Sequence, residues 1–374
     1  MTKKISIILP CRNEKESIRK SIWQIKQALE KNNIDGEIIV SDSSTDGSDK
    51  IARKLGTKVI KHDKEGYGIA LLEGFKVAKG EIIIFADSDG TYDFLEIPKF
   101  LKAIKNADLV IGSRFKGKIE RGAMSWSHRY IGNPILTFLL NLFFKSKISD
   151  AHSGFRAIRK DKLEQLELET TGMEFASEMI IKAIKKRLKI VEIPINYYPR
   201  KGVSKLRGFN DAWRHLRFML LFSPTYLFMI PGLILFIIGL FIQLSLLLGP
   251  VSLFGQMFYI HPMILGSFLT LAGFQIMFTG FFAKIYLFTV LEEKNKFLEK
   301  FFKTFNLERG LIIGTLLFLF GLIINLIVLI KWVGSNFGEL SEIKILIFAL
   351  TLNVLGIQII FNSFYLSVLG IKKK

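Results

Sequence analysis

Four apolar stretches, at about 225–248, 263–291, 310–330 and 343–369, are each long enough to cross a bilayer. In lipid every backbone polar group must be satisfied internally, so the last 150 or so residues have to fold as transmembrane helices. Pro231 interrupts the first stretch and Lys284 sits near an end of the second, where it can snorkel toward headgroups. The segment between the first two stretches carries no Lys, Arg, Asp or Glu, whereas the next carries Lys294, Lys296, Lys300, Lys303 and Arg309, and the tail ends Lys372-Lys373-Lys374. Positive charge stays on the cytoplasmic side, which predicts two hairpins with both termini and the middle loop inside.

The first 223 residues are different in kind: charged residues crowd there, and most of the formal charge of +19 comes from them. A surface so basic suits nucleic acid or anionic lipid; the apolar runs that follow favour lipid, and no nucleic-acid partner is expected. One cysteine, Cys11, excludes an internal disulfide and fits a reducing compartment. The apolar run at 5–9 is too short for a signal peptide and reads as a strand ending at Pro10. The first part is therefore expected in the cytoplasm.

Strand and helix patterns alternate through this part. Ile18, Ile22, Ile25 and Leu29 have helical spacing within 16–31. Strands are expected at 37–40, 59–60, 82–85 and 109–111, and helices up to Leu55, at 69–78 and from about Met173 to Lys186. A late strand at 190–195 is expected to close at Pro194. Alternation of this kind implies a mostly parallel α/β sheet, whose ligands bind beyond the carboxyl ends of the strands. Pro10 to Glu14, Asp42 and Asp87 to Asp89 all fall at such ends.

The sharpest of these is Glu81-Ile-Ile-Ile-Phe-Ala-Asp87-Ser88-Asp89-Gly90-Thr91-Tyr92. On an extended chain residues i and i+2 face the same way, so Asp87 and Asp89 can aim at one point. Hard carboxylate oxygens there suit Mg2+ or Mn2+, bound together with substrate phosphates. Asp-Ser-Asp-Gly is also ordinary turn chemistry, and the motif alone does not decide. Arginines beyond neighbouring strands, and the basic loop Tyr197-Tyr198-Pro199-Arg200-Lys201-Gly202-Val203-Ser204-Lys205, offer further charge for phosphate.

The almost wholly apolar run 133–144 is too short to span and reads either as a helix lying at the membrane interface or as a buried helix. The segment 210–222 mixes Arg214 and Arg217 with Trp213 and Phe218, a boundary pattern. A cation-binding site beside a membrane suits a nucleotide diphosphate donor and a lipid phosphate acceptor, the cation neutralising the leaving group. A phosphate monoester is already ionised near neutral pH, since its second pKa is about 6. No general base is then required.

Ile7-Ile-Leu-Pro-Cys-Arg-Asn-Glu14, Ser41-Asp-Ser-Ser-Thr-Asp46, Ala86-Asp-Ser-Asp-Gly90, Ile111-Gly-Ser-Arg114, Ser149-Asp-Ala-His-Ser-Gly-Phe-Arg156 and Pro199-Arg-Lys-Gly-Val-Ser-Lys205 occur in the order seen in polyprenyl-phosphate glycosyltransferases. Over about 220 residues the chain resembles the dolichyl-phosphate mannosyl- and glucosyltransferases of glycosyltransferase family 2. The resemblance implies a GT-A (Rossmann-like) nucleotide-sugar domain with a mixed, mostly parallel sheet, followed by a four-helix transmembrane domain. It also implies inversion at the anomeric carbon, a GDP- or UDP-linked hexose as donor, and a polyprenyl (dolichyl-type) phosphate as acceptor.

By that resemblance Pro10, Arg12, Glu14 and Asp42 line the nucleotide pocket, and Asp87 and Ser88 sit against the diphosphate. Asp89 is the principal metal ligand, with Asp87 and Thr91 completing the set. Thr91 stands where the mannosyl branch often has Gln, which leaves the third ligand open. Arg114, Arg129, Asn133, Arg200 and Lys205 hold the phosphates, Arg114, Arg129 and Arg200 with Asp89 being the catalytic set. Glu174, where that branch tends to have Lys, points with Glu178 to a different sugar pocket.

Plainer readings stand beside these. Asp42 and Asp46 can cap a helix; Arg129 can be a surface charge; Arg200 and Lys205 can meet lipid headgroups. His128 and His152 read as hydrogen-bonding residues, since their spacing suits no zinc site. Glu174 and Glu178, one turn apart, can be a solvated face. The domains expected are a glycosyltransferase unit at 1–208, an interfacial helix at 209–223 and a plasma-membrane domain at 224–374. Gly239, Gly273, Gly280, Gly314 and Gly321 can assemble two copies through small-residue contacts. A processive polysaccharide synthase is a rival, though its Gln-x-x-Arg-Trp motif is missing, as is a non-catalytic nucleotide-sugar-sensing scaffold.

Overall fold

Seven runs rich in Ile, Val and Leu form one sheet in the computed structural model, which describes residues 5–202, 208–253, 255–290, 306–339 and 342–370. The chain divides into two compact units, Met1–Met219 and Leu220–Lys374. The strands of the first are β1 (Ile5–Cys11), β2 (Gly36–Asp42), β3 (Lys58–Lys61), β4 (Ile82–Phe85), β5 (Leu109–Ile119), β6 (Arg156–Arg159) and β7 (Ile190–Tyr197). Their order is β3-β2-β1-β4-β6-β5-β7. Only β6 runs against its neighbours, so the sheet is mixed and mostly parallel. The central β1 and β4 are almost wholly buried, which is why they read as unbroken apolar runs.

Helices alternate with the strands of this unit. They are α1 (Ile18–Lys31), α2 (Ser48–Lys54), α3 (Tyr67–Val77), α4 (Ile97–Ile104), α5 (Asn133–Phe144), α6 (Lys160–Gln165), α7 (Phe175–Lys185) and α8 (Gly208–Leu221). Ile18, Ile22 and Ile25 of α1 are fully buried, as their spacing predicts. At α3 a side chain on Gly74 would come within 2.5 Å of Ile8, so this glycine permits close helix–sheet packing.

The strand order reverses between β1 and β4, with β2 on one side and β6 on the other. That reversal opens a crevice at the carboxyl ends of β1, β2 and β4, where a doubly wound sheet binds ligands.

Two expectations about strands are corrected. Pro194 does not close the late strand, because β7 runs on through it to Tyr197. β7 is an edge strand, and an edge tolerates a residue with no N–H to donate. The segment 156–159 is a strand that the sequence patterns did not predict. Its terminal arginines hide the β pattern, yet Arg156 is fully buried.

For α5 the structure decides between the two readings. Only Thr137 and Leu140 are buried, while Ile135, Phe138 and Leu142, with Ile131 just before the helix, form an exposed apolar stripe. It is therefore not an ordinary buried helix.

The second unit holds α9 (Ile230–Leu248), α10 (His261–Val290), α11 (Leu307–Gly334) and α12 (Ile343–Gly370). With the turn that precedes α9 they supply four segments apolar and long enough to cross a membrane. That turn is wide, the Ile230 N–H bonding Thr225 O five residues back, and it sits beside Pro231, which lacks the N–H an ordinary turn needs. A short hairpin, β8 (Val251–Leu253) and β9 (Gln256–Phe258), links α9 to α10.

The glycines assigned to assembly of two copies are instead used within one chain. A side chain on Gly239 would strike the α10 backbone at Thr270 (2.4 Å), and one on Gly314 would meet Gly356 O of α12 at 2.8 Å. Close approach of helices within each hairpin requires them, as in other membrane helix pairs. Buried polar groups fasten the bundle: Gln243 donates to Thr270 Oγ1 (2.9 Å), Thr351 to Gln243 (3.1 Å) and Asn325 to Asn353 (2.6 Å). Lys284 donates to Thr225 Oγ1 (3.1 Å). Lys294, Lys296, Lys300, Lys303 and Lys372 to Lys374 lie outside the described residues.

Candidate active site

The loops after β1 and β2 are knitted together by short polar side chains. Asn13 takes a left-handed backbone (φ 53°), which asparagine tolerates. Its N–H donates to Ser44 Oγ (2.8 Å) and its Oδ1 accepts from Thr45 N (2.8 Å). Asp42 is fully buried, accepting from the Ser44 hydroxyl and, at 2.7 Å, from Lys61 Nζ. Asp46 accepts from Ser48 N and Oγ at the start of α2 and from Lys15 N (3.1 Å). Both aspartates thus organise the loop that borders the crevice. Cys11 lies beneath it, its thiol pushed up to about 12 by burial.

Beyond β4 the chain turns sharply at Gly90 (φ +84°). Asp89 Oδ1 accepts from Thr91 N (3.1 Å) and Thr91 Oγ1 (2.6 Å), and its Oδ2 accepts from Arg200 Nη1 (3.1 Å). Arg200 Nη2 reaches across to Glu14, so one guanidinium joins the β1 loop to the β4 loop, its Nε buried without a partner. The strand-end segment that carries Arg200 is pinned there by Tyr198 N on Thr91 O (2.9 Å) and Lys201 N on Asp89 O (3.1 Å).

Asp87 lies against Gly154, where a side chain would approach its Oδ2 to 2.8 Å. Burial, and next the charge of Asp89, push its carboxyl up to about 7, against the pull of Arg200 and Arg114. Ser88 has a structural partner of its own. It is buried, and its hydroxyl donates to Pro10 O at 2.7 Å, tying β4 to β1. The Thr91 hydroxyl, expected as a metal donor, donates to Asp89 and fixes that carboxylate's rotamer.

Arg114 is buried and held on both sides of its fork by Asp150, with Nε to Oδ2 and Nη2 to Oδ1 each at 2.8 Å. Its backbone N–H donates to the same carboxylate (3.0 Å), and its guanidinium lies 5.2 Å from the Tyr197 ring centre. Arg114 is thus anchored by a carboxylate, a partner that sequence reasoning missed. The signal was the Asp150 in Ser149-Asp150-Ala151-His152, but no local spacing links it to a residue 36 positions away.

Arg156 donates to the carbonyls of Ser153 (3.0 Å), Ala176 (2.9 Å) and Ala151 (2.9 Å), clamping the 151–154 turn to α7. Tyr92 Oη accepts from Gly154 N at 2.7 Å, fixing the same turn beside Asp87. His128 is hydrogen-bonded, to Ser125 Oγ (2.7 Å), but His152 is not: both its ring nitrogens are buried without a partner. It stands edge-on to His215 of α8, 4.4 Å between centroids, and burial holds its pKa well below the ordinary value.

The other expected residues are not gathered here. Arg12 pairs with Glu65 at the surface. Arg129 stacks on Tyr130 (5.4 Å), and Asn133 donates to Met124 Sδ (3.5 Å), both local contacts beside α5. Lys205 lies outside the described residues. Glu178 is no solvated side chain: it is buried and accepts from Glu169 N, Thr170 N and Thr170 Oγ1 while pairing with Lys182.

Glu14 and Asp89 thus share Arg200, and Asp87 still carries a raised pKa despite Arg200 and Arg114. Such an excess of carboxylate fits a hard divalent ion. Among the described residues no cluster of three or more His, Cys, Asp or Glu forms a ready-made metal centre. A site of one or two carboxylates completed by substrate phosphates is the form magnesium commonly takes.

A family model described as glycosyl transferase family 2 matches residues 6–167, and another, the family 2 C-terminal transmembrane region, matches 282–370. The low-salt glycan biosynthesis hexosyltransferase Agl6 of Haloferax volcanii is 42% identical over 368 residues, which is 98% of this chain and 89% of that protein. Dolichol-phosphate mannosyltransferase of Pyrococcus furiosus is 35% identical over 228 residues, 57% of this chain and 62% of that one. Among solved structures, glucosyl-3-phosphoglycerate synthase from Mycobacterium tuberculosis, in complex with Mn2+, UDP and glucosyl-3-phosphoglycerate, is 21% identical, with 59% of this chain and 80% of that chain covered and a TM-score of 0.49.

Proposed function

Since the chain belongs to glycosyltransferase family 2, we propose that it transfers one hexose from a nucleotide diphosphate sugar to a polyprenyl phosphate, with inversion and with a divalent cation. The observation that carries this reading is the bridge from Glu14 through Arg200 to Asp89, with Asp87 alongside, at the carboxyl ends of β1 and β4. Asp87 and Asp89 would hold Mg2+ or Mn2+, which when bound neutralises the departing nucleotide diphosphate. Arg200 is the phosphate-facing residue of choice, because it already lies between two carboxylates on a basic segment and its Nε is unspent. Pro10, Glu14 and the loop braced by Asp42 border the nucleotide.

The acceptor phosphate arrives ionised, so the site works by placement and charge control. The relatives Agl6, named a hexosyltransferase, and dolichol-phosphate mannosyltransferase support a hexose donor and a lipid phosphate acceptor. The chain carries four apolar helices of membrane-spanning length. The distribution of Lys and Arg favours a plasma-membrane protein with its catalytic unit and both termini cytoplasmic. The exposed stripe of α5 then lies at the bilayer interface, where lipid-borne acceptor is presented.

The test is a donor screen in detergent with a C55–C60 polyprenyl phosphate, with and without EDTA. One sugar per lipid phosphate, lost with EDTA and with Asp89→Ala, is expected. Folded, nucleotide-binding protein that forms no lipid product with any common hexose donor would overturn the reading, and product chains would replace it with processive synthesis.

A further inference from the structure

The two glutamates at the start of α7 have opposite fates in the fold. Glu178 is saturated: it holds the 169–170 loop with three hydrogen bonds and pairs with Lys182. Glu174, one turn earlier, is not. Its side chain caps nothing at the N-terminus of α7. It folds back over Gly172, where any side chain would come within 2.4 Å of Oε2, and that oxygen is buried with no hydrogen-bond partner. A carboxylate oxygen kept from water without a donor is costly, and folded proteins seldom keep one idle.

The segment that carries this carboxylate is joined to the aspartate turn through aromatic contacts. Phe175, the next residue, packs edge-on against Tyr67, 6.2 Å between ring centroids. Phe175 also packs at 6.1 Å on Phe75, which in turn packs on Phe85, the last residue of β4. Tyr67 is buried next to Asp87, whose charge, after burial itself, most opposes its ionisation. Thr170 O and Thr171 O close over Gly66 and Gly68 so tightly that neither can carry a side chain, which locks the 170–174 loop onto the start of α3. A diphosphate at Asp87 and Asp89 would place the group it carries toward this wall.

Resting on the reading above, we infer that Glu174 is a specificity residue for the donor: its free, buried Oε2 accepts a hydrogen bond from one hydroxyl of the sugar. The rigid loop under it makes this a fixed reader. A site built to bind a hydroxyl discriminates strongly against a sugar that lacks or inverts it, because the acceptor is then left unpaired. Glu178, by contrast, is a positioning residue that holds the loop.

Binding of intact UDP-glucose and GDP-mannose is measured beside binding of UDP and GDP, on the full chain in detergent with Mn2+, for wild type, Glu174→Ala and Glu174→Gln. For the sugar nucleotide that wild type prefers, Glu174→Ala should weaken binding about 10- to 100-fold, the range of a lost hydrogen bond to a charged group. The matching free nucleotide should bind within about threefold of wild type, and Glu174→Gln should fall between. One monodeoxy form of that donor should lose the same factor in wild type and nothing further in Glu174→Ala. Equal binding of the intact donor by wild type and Glu174→Ala overturns the inference while leaving the transferase reading intact. Parallel loss of free nucleotide in both variants also overturns it, assigning Glu174 to structure. Wild type that binds nucleotide but gains nothing from either sugar, and transfers neither, refutes the underlying reading itself.

Discussion

Replacing Asp150 by Asn tests the claim that Arg114 is an anchored cation and not a phosphate ligand. Asp150 is fully buried and accepts three N–H groups from Arg114, at 2.8, 2.8 and 3.0 Å. An asparagine keeps the size but removes the charge and turns an NH2 toward donors. The guanidinium then remains buried without its paired carboxylate. Breaking a buried pair from one side costs about 3–5 kcal/mol, most of it from the stranded charge.

For a unit of about 220 residues each kcal/mol shifts Tm by about 2–4 °C, so Asp150→Asn should lower the melting of the catalytic unit by about 6–20 °C. The assay is intrinsic-fluorescence melting of the full chain in detergent, the transition of this unit being the one that nucleotide shifts. A second variant separates charge from shape. Arg114→Met with Asp150→Asn removes the guanidinium as well and should recover at least half of the loss, because apolar replacement of a buried pair is often close to neutral. The double variant should still bind nucleotide. A shift under about 2 °C for the single variant, or no recovery in the double, would refute the argument. Loss of nucleotide binding in a stable double variant would return Arg114 to the phosphate site.

Two buried groups should make stability depend on pH with opposite signs. Asp87 is raised in the fold to about 7, so its contribution is complete below the unfolded value of about 3.9 and is lost as pH rises through 7. In EDTA, Asp87→Asn should therefore melt higher than wild type at pH 8, with the gap shrinking as pH falls toward 4; the reverse order would count against the assignment. His215, hydrogen-bonded to Ser177 at 2.7 Å, is pushed down to about 4 by burial, so acidification from 7 toward 4 costs stability that His215→Phe should not lose. The Cys11 thiol, pushed up to about 12, should resist maleimide at pH 8 in native protein and react on unfolding; rapid native labelling would contradict its burial. Glu178→Ala should free the 169–170 loop and speed its cleavage by protease at least tenfold with α7 intact, and unchanged cleavage would remove Glu178 from that role.

The composition of the chain was enough to divide it. Apolar runs of spanning length can only be helices in lipid, and strands buried on both faces can only be unbroken Ile and Val runs, so both layers were legible as one-dimensional patterns. The aspartates at the end of β4 were legible too, because the alternation of an extended chain places i and i+2 together. β6 was not, since the arginines at its ends hide the period and only burial on three carbonyls accounts for Arg156. Partnerships across long separations were likewise invisible: Arg114 with Asp150, Arg200 with both Glu14 and Asp89, and glycines spent inside hairpins rather than between chains. Residue type sets which charges a chain carries, but whether a charge is spent or free depends on what the fold brings within about 3 Å of it. That is why Glu174 and Glu178, equivalent on paper, end as one idle carboxylate and one saturated one.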